Sequence, residues 1–379
     1  MYVNFFAVEG TMKILAASDS FKGTLSSETV GKIIKSALID NKVDVISISD
    51  GGEGIIEALE NKLDGKRINI SIKDPLGRPI EGYYFLTDNG VAIIESAIAC
   101  GLALLSEEER NPLFTSTYGL GMMIEDAIFK TAKHILIGIG GSSTNDCGLG
   151  MLEALGVRFF DKSKSLLGNL SGKDLGLIES FDTTELNKLL EGISIEVACD
   201  VDNPLLGKDG ATYTFAPQKG ADDEMCEVLE KGMIHFSTSV SDRYGYKADF
   251  PGAGAAGGLG FCFNTFFSGS LKNGIDLVLD VLHFDDWIAD YDLVITGEGK
   301  IDGQTSRGKV PQGILNRTSR KGIRTIAICG IKEAEVKEFD AVFSVVPTIA
   351  TAEESLGAPE FFLNRLIKEY VKPWIRQKN

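Results

Sequence analysis

A repeated grammar constrains the fold of this chain more than any other feature: a short apolar run, a glycine-rich loop bearing charge, then an amphipathic stripe. "KILAAS" (13–18) reads as a buried strand and "DSFKGTL" as a loop. A helix opens near Ser26, a good N-cap residue, with Glu28 in its first turn. Val30, Ile33, Ile34, Ala37 and Leu38 then recur at helical spacing, one stripe for one face of a sheet. "VDVISIS" supplies the next strand, and Ile56, Leu59 and Leu63 mark the next helix. Alternation of this kind predicts an α/β fold, a Rossmann-like doubly wound parallel sheet.

The texture changes after residue 67. "RINISIKDPLGRPIEGYYFLTDNGVAIIES" lacks helical periodicity and carries turn signals at Asp74-Pro75, Gly77 and Asn89-Gly90. It predicts an antiparallel meander, followed by a helix ("TYGLGMMIEDAIF"), a strand ("HILIGIG") and another helix ("CGLGMLEALG"). Past a glycine-rich stretch at 252–260 the first grammar resumes in "DLVITGEG", "RTIAICG" and "AVFSVVP". The expected organisation is a discontinuous Rossmann-like domain, 12–67 plus 285–379, with a mixed α/β domain inserted at 68–284. Residues 1–11, ahead of Met12, read as an N-terminal extension.

Composition narrows the partners. With 38 Lys and Arg against 54 Asp and Glu, the formal net charge is −16. That field repels phosphate backbones and argues against a nucleic-acid partner, although a local group of lysines and backbone N–H groups can override it for a small anion. The six cysteines are scattered without a C-x-x-C pair, beside only three histidines. Neither a zinc site nor a disulfide framework is expected, and a reducing cytoplasm is. No apolar run approaches the length of a membrane span, and "MYVNFFAVEG" lacks the basic start and long apolar core of a signal peptide.

Doubly wound sheets bind ligands at the carboxyl ends of their strands, where helix N-termini favour anions. Five loops hold that position with unusual composition: "SDSFKG" (18–23), "SDGGEG" (49–54), "GIGGSSTND" (138–146), "CDVDNPLLG" (199–207) and "TGEGKIDGQTSRGK" (296–309). Glycine lets backbone N–H groups approach a phosphate, hydroxyls and lysine complete the cradle, and acids hold Mg²⁺. The mixture suits phosphoryl transfer better than redox or acyl chemistry.

Each candidate has a plainer reading. "GQTSRGKV" (303–310) satisfies G-x-x-x-x-G-K but places Val310 where a phosphate loop needs Ser or Thr. "GAGAAG" (252–257) satisfies G-x-G-x-x-G without a strand before it, so a packed Gly/Ala loop is the better reading. Asp200 and Asp202 could form a turn ahead of Asn203-Pro204, Lys22 could be a solvated charge, and Asn145 and Asp146 could cap the following helix. His134, His235 and His283 read as structural, "FCFNTFF" as core, and no G-x-S-x-G elbow supports a hydrolase.

Taken in order, "DSFKGTLSS", "SDGGEG", "GIGGSSTNDCGLGML", "CDVDNPLLG", "APQKGA", "PGAGAAGGLG" and "TGEGKIDGQTSRGK" resemble the type-1 glycerate kinase family from Met12 to the last helix. The resemblance implies a two-domain α/β enzyme that uses ATP and Mg²⁺ to phosphorylate D-glycerate, usually giving 2-phosphoglycerate in bacterial members. The family motif commonly has glycine where this chain has Cys147. The residues themselves suggest roles. Backbone N–H groups of Gly51, Gly52, Gly140 and Gly141, with Ser142, Ser143, Thr144, Asn145 and Asp146, would cradle phosphates or the glycerate carboxylate. Asp50, Asp200 and Glu298 are the Mg²⁺ candidates, and Lys22, Lys219 and Lys309 would neutralise the transferring group. Asp200 or Asp202 would orient the glycerate hydroxyl; which acid is base and which binds metal stays open, as does 2- against 3-phosphorylation. The rival readings are a non-catalytic nucleotide or sugar-acid binder and a nicotinamide oxidoreductase.

Overall fold

The computed structural model describes residues 11–21, 23–48, 54–245, 250–302, 309–333 and 336–378. It divides into two compact units, a discontinuous one of Met1–Asp50 with Val278–Asn379 and a continuous one of Gly51–Leu277.

The discontinuous unit is built on five parallel strands. In chain order they are Lys13–Ser18, Lys42–Ser47, Leu293–Ile301, Arg324–Lys332 and Ala341–Val346. Across the sheet the order is second, first, third, fourth, fifth. It reverses between the first and third strands, the place where such sheets take ligands. Residues that alternate along the strands cover both faces. Ile14, Ala16, Ile295, Ile326 and Ile328 pack with Val30 and Ile34 of the helix Ser27–Ala37 and with Leu363 and Ile367. On the opposite face Ala327 and Cys329 pack with Leu315 of the helix Val310–Arg320 and with Phe339. The first helix starts as its sequence predicts: Ser26 Oγ accepts the Thr29 N–H at 3.2 Å, and Val30, Ile33, Ile34 and Ala37 are buried.

The continuous unit carries a six-stranded mixed sheet. Its meander, Gly65–Lys73, Pro79–Thr87 and Val91–Glu95, is antiparallel. His134–Gly138, Ser194–Ala198 and Ser270–Lys272 then add in parallel beside the last of these. Asp74 Oδ1 accepts the N–H groups of Leu76 (2.9 Å) and Arg78 (2.8 Å), fixing the first predicted turn. Gly90 supplies the left-handed φ of +83° that the second requires. Phe261, Cys262 and Phe263 of "FCFNTFF" lie in the core.

The boundaries between units fall at 50/51 and 277/278 rather than at 67/68 and 284/285. The helix Ile55–Glu60, expected with the first sheet, packs on the meander strands. Its N-terminus is held there by the buried Glu95, whose carboxylate accepts the N–H groups of Gly54 (3.1 Å) and Ile56 (2.8 Å). At the other boundary the Arg317 guanidinium binds Asp280 and Asp285, each at 2.7 Å, and draws residues 278–285 into the discontinuous unit.

Gly31, in the middle of the first helix, gives a test of this packing. Alanine there gains about 1 kcal/mol of helix propensity, but its Cβ would stand 2.1 Å from Val45 Cγ1. Val45 is β-branched and held on a strand, so it yields little. Gly31→Ala should therefore lower unfolding free energy by about 1–3 kcal/mol, read from denaturant midpoints; a stabilised variant would contradict the packing.

Candidate functional site

Four parallel strands of the continuous unit end at one edge of its sheet. They deliver Glu95, the 139–148 loop, the 199–207 loop and Asn273-Gly274. The 139–148 loop is tied down along its length. Leu102 N–H donates to Gly141 O (2.8 Å), and Ser143 N–H and Oγ both donate to Cys100 O (2.8 and 3.0 Å). Thr115 Oγ1 donates to Ser143 O at 2.9 Å. The far arm is held by Cys147 N–H to Gly257 O at 3.0 Å. A Cβ at Gly257 would meet Thr144 O at 2.1 Å, and one at Gly254 would meet Pro204 O at 2.2 Å. The 252–258 stretch is thus a packed loop that locks the 142–147 and 199–207 segments by close backbone approach.

Asp146 is the anchor inside this loop. Its Oδ2 accepts Thr117 N–H (2.9 Å), Thr117 Oγ1 (2.8 Å) and Gly150 N–H (3.2 Å), while Oδ1 accepts Gly148 N–H (3.1 Å). Thr117 Oγ1 in turn accepts the Met151 N–H at 2.9 Å. Burial pushes the Asp146 carboxyl above the usual carboxylate range, and the four donors pull it back. A buried carboxylate so occupied caps the following turn. Ser143 is likewise a scaffold residue.

The polar groups with unused hydrogen-bonding capacity surround Lys219. Its buried Nζ donates to Ser142 Oγ (3.1 Å) and Thr144 O (2.7 Å). An ammonium carries three protons, and among the described residues the third has no acceptor. Burial lowers the Lys219 pKa to about 8, against the opposing pull of Cys100 and Asp146. Among the described residues Asn145 Oδ1 is buried without a partner and Thr144 Oγ1 has none beyond the Cys100 thiol beside it, although Asn145 Nδ2 reaches Thr212 Oγ1 at 3.3 Å. Buried polar atoms in that state mark a place for a ligand or water. The N–H groups of Gly140, Gly141 and Ser142 donate to no acceptor among the described residues. A cation, a hydroxyl and N–H groups so placed have the chemistry to hold an anion. On the adjacent strand end Asp200 and Asp202 are exposed, and Asp200 Oδ1 accepts Gly274 N–H at 2.9 Å.

The discontinuous unit presents a second group at its strand reversal. Ser18 Oγ and Asp19 N–H both donate to Gly297 O (3.0 and 2.9 Å), joining the first and third strands where Glu298 emerges. Lys309, the N-cap residue of the helix Val310–Arg320, lies 3.4 Å from Glu298 Oε2 and 3.8 Å from Asp302 Oδ1. A cavity of about 290 Å³ opens beside them. Lys22, Asp50, Gly51 and Gly52 lie outside the described residues, as do residues 303–308 of the G-x-x-x-x-G-K match.

Residues 14–375 match the model of the glycerate kinase family. The chain belongs to the glycerate kinase family. A glycerate kinase of Bacillus subtilis (strain 168) is 39% identical over 94% of this chain and 96% of its own. The glycerate 2-kinase of Escherichia coli (strain K12) is 38% identical over 91% and 93%. A crystal structure assigned to glycerate kinase 2 of Salmonella typhimurium LT2 superposes with a TM-score of 0.85 at 38% identity, covering 97% of this chain and all of that one.

Where the glycerate kinase motif commonly has glycine, Cys147 adopts φ +51°, in the left-handed region that glycine favours. Its Sγ is buried 3.7 Å from Gly258 O. None of the six cysteines forms a disulfide, and among the described residues no helix is long and apolar enough to cross a membrane. Two working residues escaped the sequence reading: Glu95 and Thr117. Glu95 ends the apolar run "VAIIE", the strand-end acid pattern found in the other loops, and Thr117 sits in the hydroxyl run "TST" before a helix.

Lys219 sets opposite pH trends for binding and stability. Below about pH 8 its amine is cationic, so affinity for an anionic substrate should fall as pH rises through that value. Because its folded pKa lies below the unfolded one near 10.4, the unfolded chain binds more protons between the two. This group therefore makes the fold more stable as pH rises through that window. Titrating D-glycerate binding from pH 7 to 9.5 should show the loss without unfolding, and Lys219→Met should abolish the pH dependence. An affinity flat across that range would remove Lys219 from the anion site.

Proposed function

We propose that this protein transfers the γ-phosphoryl group of ATP to the 2-hydroxyl of D-glycerate, giving 2-phosphoglycerate and ADP. The observation that carries this reading is the buried Lys219 ammonium, bound to Ser142 Oγ and Thr144 O with no described acceptor for its third proton. In a weakly screened interior such a charge binds a carboxylate or phosphoryl oxygen strongly. The name of the Escherichia coli relative, glycerate 2-kinase, supports the choice of hydroxyl.

In the reaction the glycerate oxygen forms a bond to the γ-phosphorus as the bond to the β–γ bridging oxygen breaks. The electron pair leaves with ADP, and the hydroxyl proton passes to Asp200 or Asp202. Lys309, with Lys22, offsets charge on the transferring group, and the N–H groups of Gly140 and Gly141, with those of Gly51 and Gly52, cradle anionic oxygens. Glu298 and Asp302, which lie beside Lys309, would supply hard oxygen donors for Mg²⁺, with Asp50 and Asp200 as further candidates. Among the described residues no three His, Cys, Asp or Glu side chains gather into a metal cage. One or two carboxylates fit an ion that shares its ligands with substrate phosphates. When bound, Mg²⁺ neutralises the β- and γ-phosphate oxygens.

Phosphorus NMR of ATP, Mg²⁺ and D-glycerate with the protein tests the proposal. The 2-phosphoglycerate resonance should grow in step with ADP and stop on chelation of the metal. Formation of 3-phosphoglycerate would overturn the regiochemistry, and intact ATP would favour the non-catalytic binder.

A further inference from the structure

The cavity at the strand ends of the discontinuous unit does not suit glycerate. Phe21, Ile331, Val345, Leu356, Pro359 and Leu363 give it an apolar wall that a three-carbon polyol acid cannot cover. Asp19, Glu298 and Asp302 also line it and repel a carboxylate ligand. Of its cations, Lys309 faces Glu298 and Asp302, and Lys300 binds Glu333 at 2.8 Å.

We infer that this cavity binds the nucleoside end of the phosphoryl donor, an adenine nucleotide, an assignment that rests on the kinase reading above. Size is the first support. At about 290 Å³ it falls just short of the range of about 300–1,000 Å³ for pockets that enclose a whole ligand, which suits one end of a nucleotide rather than all of it. The floor is the second. Gly299 and Gly330 stand side by side on neighbouring strands and both line the cavity, so this part of its wall carries no side chain and a planar ring can lie against the backbone. The rim is the third, because Leu356 is 65% exposed and a stacked base would cover it. Thr24 and Ser355 also line the cavity and can bond base or ribose, and the Lys309–Glu298–Asp302 group meets the phosphate tail and its cation.

Photolabelling of the full chain with 8-azido-ATP and Mg²⁺, followed by peptide mapping, tests the assignment. Label should fall on peptides spanning 19–25 or 345–363 and vanish with excess ATP. Leu356→Glu, at an exposed position that folding tolerates, should raise KM for ATP about tenfold or more, the loss of covering one leucine. KM for glycerate should stay within about twofold. ATP-protected label inside 51–277, no ATP-protected label at all, or an unchanged KM for ATP would overturn the inference. The two proposals fail separately. Protected label at 345–363 without phosphoglycerate refutes the kinase reading alone, whereas phosphoglycerate with label inside 51–277 refutes the cavity assignment alone.

Discussion

The Asp146 carboxylate, fully buried and accepting four hydrogen bonds, is the interaction on which the rest of the anion site depends. Leaving such a charge without donors would cost several kcal/mol, so the chain closes around it: Thr117 from one side, Gly148 and Gly150 from the other. That closure fixes the turn after Asn145 and, with the Gly257 contact, orients the Thr144 carbonyl toward Lys219. A lysine is rarely buried without a carboxylate partner. Here a serine hydroxyl and a carbonyl hold it, which keeps its charge available to a ligand.

Charge sorts the two units by ligand. The anion site of the continuous unit gathers a cation, a hydroxyl and N–H groups that find no acceptor among the described residues. The strand-end edge of the discontinuous unit gathers Glu298 and Asp302 around Lys309 beside a cavity with an apolar wall. The first suits a small acid, and the second suits a neutral base whose phosphate tail carries its own cation. An overall charge of −16 is compatible with anionic substrates because the favourable field is local and weakly screened.

Much of this was legible in the sequence where the determinants are local. The helix Ser27–Ala37 declares itself by one stripe and one N-cap. The allegiance of Ile55–Glu60 was not legible, because its apolar residues would serve either sheet and the deciding partner, Glu95, lies some forty residues away. For Asp146, ligand contact and helix cap call for the same residue type, and only the positions of Thr117 and Gly150 decide. The burial of Lys219 depends on Gly220, at φ +94°, where a Cβ would strike Arg110 O at 2.1 Å. No local pattern reveals that long-range contact.

The direct measurement is the denaturant unfolding free energy of Asp146→Asn against the parent protein at pH 7. The side-chain shape is kept, but one acceptor becomes a donor facing an N–H group. If the carboxylate organises the loop, stability should drop by about 2–4 kcal/mol with an unchanged denaturant slope. A change below about 0.5 kcal/mol, the level of an ordinary surface substitution, would contradict the account.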